Sequence, residues 1–88
     1  MNIRNVSIFG LGYVGLTFAV CLASKGFNVI GVDVDKSKID LIRNGKIPFH
    51  EPSLDDLLDE ALRNGNFRCT DDYWTAITES SISFICVG

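Results

Sequence analysis

Apolar residues along this chain come in two textures: short unbroken runs bounded by glycine or charge, and longer stretches whose apolar positions recur at helical spacing. Ile3, Val6, Ile8 and Phe9 make the first short run, β-branched and aromatic as a strand buried in a parallel sheet requires. Residues 14–24 carry Leu16, Phe18, Ala19, Val20, Cys21, Leu22 and Ala23 and stop at Lys25-Gly26, so a buried helix with a left-handed cap is predicted there. Residues 27–33 return to strand texture and end on Asp33. Asp35 caps a predicted short helix over 36–43, with Ile39 and Ile42 inward and Asn44-Gly45 as its stop. Residues 46–52 read as a loop with two prolines, and Ser53 as the cap of the next helix, with Asp55 and Asp56 in its first turn. Leu54, Leu57, Leu58, Ala61 and Leu62 share one face of that helix, and Arg63-Asn64-Gly65 closes it. A third short strand is predicted over 67–70. Asp71 and Asp72 then cap a helix carrying Tyr73, Trp74, Ala76 and Ile77, and residues 82–88 form a fourth strand.

Strands alternating with helices specify an α/β fold, a parallel sheet with helices on both faces. Right-handed crossovers give a Rossmann-type strand order of 3-2-1-4, whose ligand crevice lies at the carboxyl ends of strands 1 and 4, with Gly88 on its rim. Gly10-Leu11-Gly12-Tyr13-Val14-Gly15 sits between the first strand and the first helix. Alone, the G-x-G-x-x-G spacing is weak, but here a strand precedes it, a helix follows, and Asp33 lies about 20 residues on. Gly10 permits a tight turn, Gly12 lets backbone N–H groups approach a pyrophosphate, and Gly15 lets the helix lie close to the strand. The helix N-terminus then favours an anion without a basic side chain. Asp33 suits both hydroxyls of an adenosine ribose and would repel a 2′-phosphate, which favours NAD over NADP. A solvated strand-end acid is the plainer alternative for Asp33.

Composition narrows the function class. Eighty-eight residues make one domain, and 47% hydrophobic with 22% charged residues suit a packed α/β unit. A net charge of −3 without a basic run argues against nucleic acid or an anionic membrane as partner. The first apolar stretch is broken by glycines and lacks a small-x-small cleavage site, so it reads neither as a signal peptide nor as a membrane span. Cys21, Cys69 and Cys86 lack C-x-x-C spacing and read as reduced core thiols of a cytoplasmic protein, with no metal site. His50, in a proline-flanked loop without a partner, reads as a loop-packing or surface residue.

Several segments together resemble one family. Gly10 to Leu16, Gly31-Val32-Asp33-Val34-Asp35 with Lys38-Ile39, Asn44 to Pro48, Glu51-Pro52 before Leu54, and Phe84 to Gly88 are similar to the N-terminal part of the UDP-glucose/GDP-mannose dehydrogenases. The Tyr13-Val14 pair and the Glu-Pro loop are the specific elements, and the wording of 38–48 and 83–88 is nearest the GDP-mannose branch. Ser53 stands where the family usually has glycine. The resemblance implies NAD-dependent oxidation of a nucleotide sugar at C6, from alcohol to carboxylate, with two NAD consumed. It also implies cofactor contacts from Gly10, Gly12, Tyr13, Val14, Gly15, Asp33, Lys38, Val87 and Gly88, although Lys38 reads equally as a solvated helix lysine. On this reading the chain is a truncated half-domain. The catalytic residues and the sugar-binding domain lie beyond Gly88 in a longer parent, expected to be a homo-oligomer, and the fragment binds cofactor without turnover. The alternatives are a regulatory nucleotide-sensing domain and a methyltransferase, both of which also use a glycine turn.

Overall fold

The computed structural model describes residues 4–49 and 51–86; Ile3, His50, Val87 and Gly88 lie outside the described residues. The elements follow as β1 (Asn5–Phe9), α1 (Tyr13–Ser24), β2 (Asn28–Val32), α2 (Lys36–Arg43), α3 (Pro52–Asn64), β3 (Phe67–Thr70), α4 (Tyr73–Glu79) and β4 (Ile82–Ile85). The strands pair in parallel in the order β3-β2-β1-β4, as the alternation of textures predicts.

Register assigns the sheet two unequal faces. Val6, Ile8, Val29, Gly31, Phe67, Cys69 and Phe84 share one face, because strand side chains alternate and these positions are aligned by the pairing. Against them pack Leu16, Ala19, Val20 and Ala23 of α1, Ile39 and Ile42 of α2, and Leu54, Leu58 and Ala61 of α3, which form the main core. The opposite face, with Ser7, Phe9, Ile30 and Val32, holds only the smaller cluster around Ala76 of α4. There Ser7 is fully buried, and its Oγ lies 2.9 Å from that of Ser80 and 2.6 Å from that of Ser83, a hydroxyl chain that pins α4 to β1 and β4. Ser80 Oγ in turn donates to the Ala76 carbonyl at 2.6 Å. Beyond α4 this face is open, and Ile85 is 79% exposed.

Helix ends follow the sequence signals with two corrections. In α1, α2 and α3 the chain leaves through Gly26, Gly45 and Gly65 at φ +97°, +78° and +76°. In each the next residue's N–H reaches back to a carbonyl of the last turn: Phe27 to Leu22, Lys46 to Leu41, Asn66 to Ala61. Asp35 caps α2 through Ser37 and Lys38, and Asp72 caps α4 through Thr75, while Asp71 instead pairs with Lys36 at 3.5 Å. Ser53 is not the cap of α3. That helix starts two residues earlier with Pro52 at its first position, Glu51 is the N-cap residue, and Ser53 Oγ donates to Glu51 Oε1 at 2.9 Å. Proline is favoured there because its fixed φ matches the helix and its missing N–H would have had no partner.

At the free edge of β3, Arg43 donates through Nε and Nη2 to the outward Cys69 carbonyl, at 3.1 and 2.9 Å. That occupies an acceptor which would otherwise invite another strand.

Candidate functional site

Closure of the glycine turn depends on two near-contacts that exclude side chains. Gly10 has φ +99°, and a Cβ there would stand 2.0 Å from the Cys86 carbonyl oxygen just past β4. A Cβ on Gly15 would stand 1.8 Å from the Gly10 carbonyl oxygen, so α1 lies directly on the turn that feeds it. Gly12 is different: as N-cap of α1 it has φ −72° and ψ −166°, a conformation open to any residue. Its contribution is the absent side chain. No side chain caps the first N–H groups of α1, which leaves them for a ligand. Between these glycines Leu11 is fully buried and anchors the turn in the core, its Cδ2 lying 2.9 Å from where a Cβ on Gly31 would be. Tyr13 and Val14, the first residues of α1, point outward at 56% and 68% exposure.

Asp33 follows β2 and is held to the turn from across the sheet. Its Oδ2 accepts from Leu11 N–H at 2.8 Å, and its Oδ1 accepts from Asp35 N–H at 3.0 Å, an Asx turn that leads into the α2 cap. Lys38 Nζ approaches Oδ2 at 3.5 Å, because the Asp35 cap places the first turn of α2 beside β2. Burial pushes the Asp33 carboxyl up, but the Asp35 and Leu11 N–H groups and the Lys38 charge outweigh it and hold the pKa below the usual range. Asp33 is therefore a fixed anion at neutral pH. A carboxylate offers about four acceptor positions, and three are filled here. A ligand diol would use the open position on Oδ1, and a second position becomes free when Lys38 turns from Oδ2 to the ligand.

At the carboxyl ends of β1, β2 and β4 a cavity of about 310 Å³ opens beside this carboxylate. Phe9, Val32, Val34, Tyr73 and Ile85 give it apolar walls, and Gly10, Asp33 and Cys86 reach its rim. Apolar walls next to an anchored acceptor pair suit a planar heterocycle carrying a polyol, and the uncapped α1 N-terminus suits the phosphate that follows. The structure thus brings Gly10, Gly12, Gly15, Asp33 and Lys38 into one crevice, with Tyr13 and Val14 at the helix mouth. Val34 and Tyr73 were not expected at the site. Neither belongs to the glycine spacing, and their only signal was position, directly after the strand-end acid and directly after the Asp72 cap. The cysteines are all free; Cys69 is buried and burial pushes its thiol up, while Cys21 and Cys86 are half-buried, and Cys86 both packs on the main core and borders the crevice. Among the described residues no acidic, histidine or cysteine cluster could hold a metal ion, and no helix is long and apolar enough to cross a membrane.

Comparison with known proteins decides what this crevice belongs to. The sequence profile of the UDP-glucose/GDP-mannose dehydrogenase family, NAD binding domain, matches residues 4–88. The chain belongs to this family. It is 54% identical over 83 residues to the GDP-mannose 6-dehydrogenase of Pseudomonas putida, a match covering 94% of the chain and 19% of that protein. The crystal structure of a ternary complex of GDP-mannose dehydrogenase from Pseudomonas aeruginosa superimposes with a TM-score of 0.93 at 51% identity, covering 96% of this chain and 19% of that one. A UDP-glucose dehydrogenase from Pyrobaculum islandicum gives 0.93 at 34% identity over 99% of this chain and 20% of its own. The chain therefore spans about one fifth of the length of the relatives it matches. Membership of the UDP-glucose/GDP-mannose dehydrogenase family, through its NAD-binding domain, makes NAD the cofactor of this domain and sets aside the sensor and methyltransferase readings.

Proposed function

We propose that Gly10, Gly12, Tyr13, Val14, Gly15, Asp33 and Lys38 hold the ADP half of NAD; Val87 and Gly88, which the resemblance adds to these contacts, lie outside the described residues. The pyrophosphate lies on the uncapped first turn of α1, the adenosine ribose on Asp33 with Lys38 alongside, and the adenine in the apolar cavity between Val34 and Tyr73. The observation that carries this reading is the Asp33 carboxylate, anchored by Leu11 N–H at 2.8 Å so that the glycine turn and the ribose acceptor form one rigid unit. A fixed anion also opposes a 2′-phosphate, which selects NAD over NADP.

Residues 1–88 are on this reading the N-terminal NAD-binding unit of a longer cytoplasmic, homo-oligomeric oxidoreductase. Its substrate is a nucleotide sugar, of the GDP-mannose type by the nearer relatives, oxidised at C6 from alcohol to carboxylate. NAD supplies the hydride acceptor, one per two-electron step. Catalytic and sugar-binding groups come from the rest of the parent, so this chain binds cofactor without turnover. Calorimetric titration with NAD, NADP and FAD tests the cofactor assignment: NAD binds best, and equal affinity for NAD and NADP would refute the role given to Asp33. Assay of the longer parent with GDP-mannose and UDP-glucose tests the substrate class.

A further inference from the structure

The first turn of α1 must present its N–H groups in a fixed direction, yet it has no side-chain cap and no acidic residue of its own. On its inner side it is held by the close approach of Gly15 to the Gly10 carbonyl. On its outer side Tyr13 provides a second hold. The Tyr13 and Phe49 rings meet edge to face, with ring centres 5.0 Å apart and planes at 66°. Phe49 lies between α2 and α3, and its segment is clamped. At its start Gly45 N–H reaches the Ile42 carbonyl at 2.9 Å and Lys46 N–H reaches that of Leu41 at 3.0 Å. At its far side Pro52 opens α3 with a ring-fixed φ. Between these points Ile47 and Phe49 both pack on the main core. Residues 45–49 therefore form a strut between core and glycine turn, and nothing in the glycine motif accounts for it.

We propose that Phe49 is a positioning residue for the cofactor's pyrophosphate, acting through Tyr13 to keep the first turn of α1 wound and aimed. The proposal rests on the NAD reading of the crevice given above. Terminal helical turns fray when nothing outside the helix holds them, and a frayed turn must be reordered when the ligand binds. The cost then falls on ligands that carry phosphate. An adenosine, held by Asp33 and the apolar cavity, is indifferent to it.

The test titrates the full chain with NAD, ADP-ribose and adenosine. Phe49→Leu keeps apolar bulk in the core but removes the ring, and Phe49→Tyr restores it. Phe49→Leu weakens NAD and ADP-ribose about two- to tenfold, the worth of an edge-to-face pair, with adenosine unchanged; Phe49→Tyr binds as the wild type does. In a Tyr13→Ala background, Phe49→Leu has no further effect, because the two residues act as one unit. The proposal is overturned if Phe49→Leu binds NAD like the wild type, if adenosine weakens in the same proportion, or if the two substitutions simply add. Wild-type protein without NAD affinity would overturn the crevice assignment itself and the strut with it, which distinguishes that failure from the others.

Discussion

Replacing Asp33 with asparagine separates the hold this side chain has on the turn from the ribose contact proposed for it. Asparagine keeps the shape but has one acceptor oxygen, and its amide nitrogen only donates. Whichever way the amide is turned, either Leu11 N–H or Asp35 N–H then faces a donor, and Lys38 loses its counter-charge. Water replaces the lost acceptor poorly, since the Asp33 side chain is only 11% exposed. An unsatisfied donor costs about 1–3 kcal/mol, and the loss of the Lys38 pair, with Lys38 27% exposed, adds at most about 1 kcal/mol. We expect about 2 kcal/mol of destabilisation, which lowers the melting temperature of a domain this size by about 10 °C. Binding loses a further charge-assisted hydrogen bond to the ribose, so NAD affinity falls by about 1–2 kcal/mol, and the preference over NADP narrows as the repulsion disappears. Calorimetric melting and titration read the two effects separately. Lys38→Met serves as the control that removes the cation while leaving the carboxylate pinned by both N–H groups. An unchanged melting temperature would refute the pinning argument, and an unchanged NAD affinity with an unchanged NADP ratio would take Asp33 out of the ribose site.

Three further outcomes follow from the geometry. Gly15→Ala places a methyl group 1.8 Å from the Gly10 carbonyl oxygen, where backbone cannot yield cheaply, so denaturant unfolding should register a loss of about 3 kcal/mol or more; an unchanged midpoint would mean that α1 does not rest on the turn. Ser7→Ala leaves Ser80 its bond to Ala76 but removes the hydroxyl contacts from β1 to Ser80 and Ser83, costing about 1 kcal/mol in the same measurement, and a variant as stable as wild type would count against the hydroxyl chain as a structural link. Asp33, Asp35 and Asp72 all have pKa values held below the usual 3.8, for Asp35 by Ser37 and Lys38 and for Asp72 by Thr75. Folded-state values below the unfolded ones mean that their stabilisation is complete above pH 3.8 and is lost as pH falls through the folded values; urea midpoints at pH 7, 4 and 3 should drop with acid, and a rise would reverse the sign of the argument.

Sequence patterning by itself determined the alternation of strands and helices, the parallel order of the sheet and the place of the glycine turn. The physical reason is that each of these rests on local rules: run length and periodicity, glycine after a helix, an acid at a strand end. Those same rules placed Asp33 and the helix N-terminus at one crevice, because a right-handed crossover leaves little choice. They misplaced the cap of α3, since Ser53 and Pro52 compete for adjoining positions and only the backbone settles which one opens the helix. They also read Tyr73 and Trp74 as part of a helix without saying which way it faced; α4 buries only Ala76, and Tyr73 turns to the cavity wall. What tertiary structure alone decided is how distant pieces meet: Leu11 N–H on Asp33, Phe49 against Tyr13, Cys86 against Gly10. Such contacts depend on packing distance between segments far apart in the chain, and neither periodicity nor motif spacing encodes that distance.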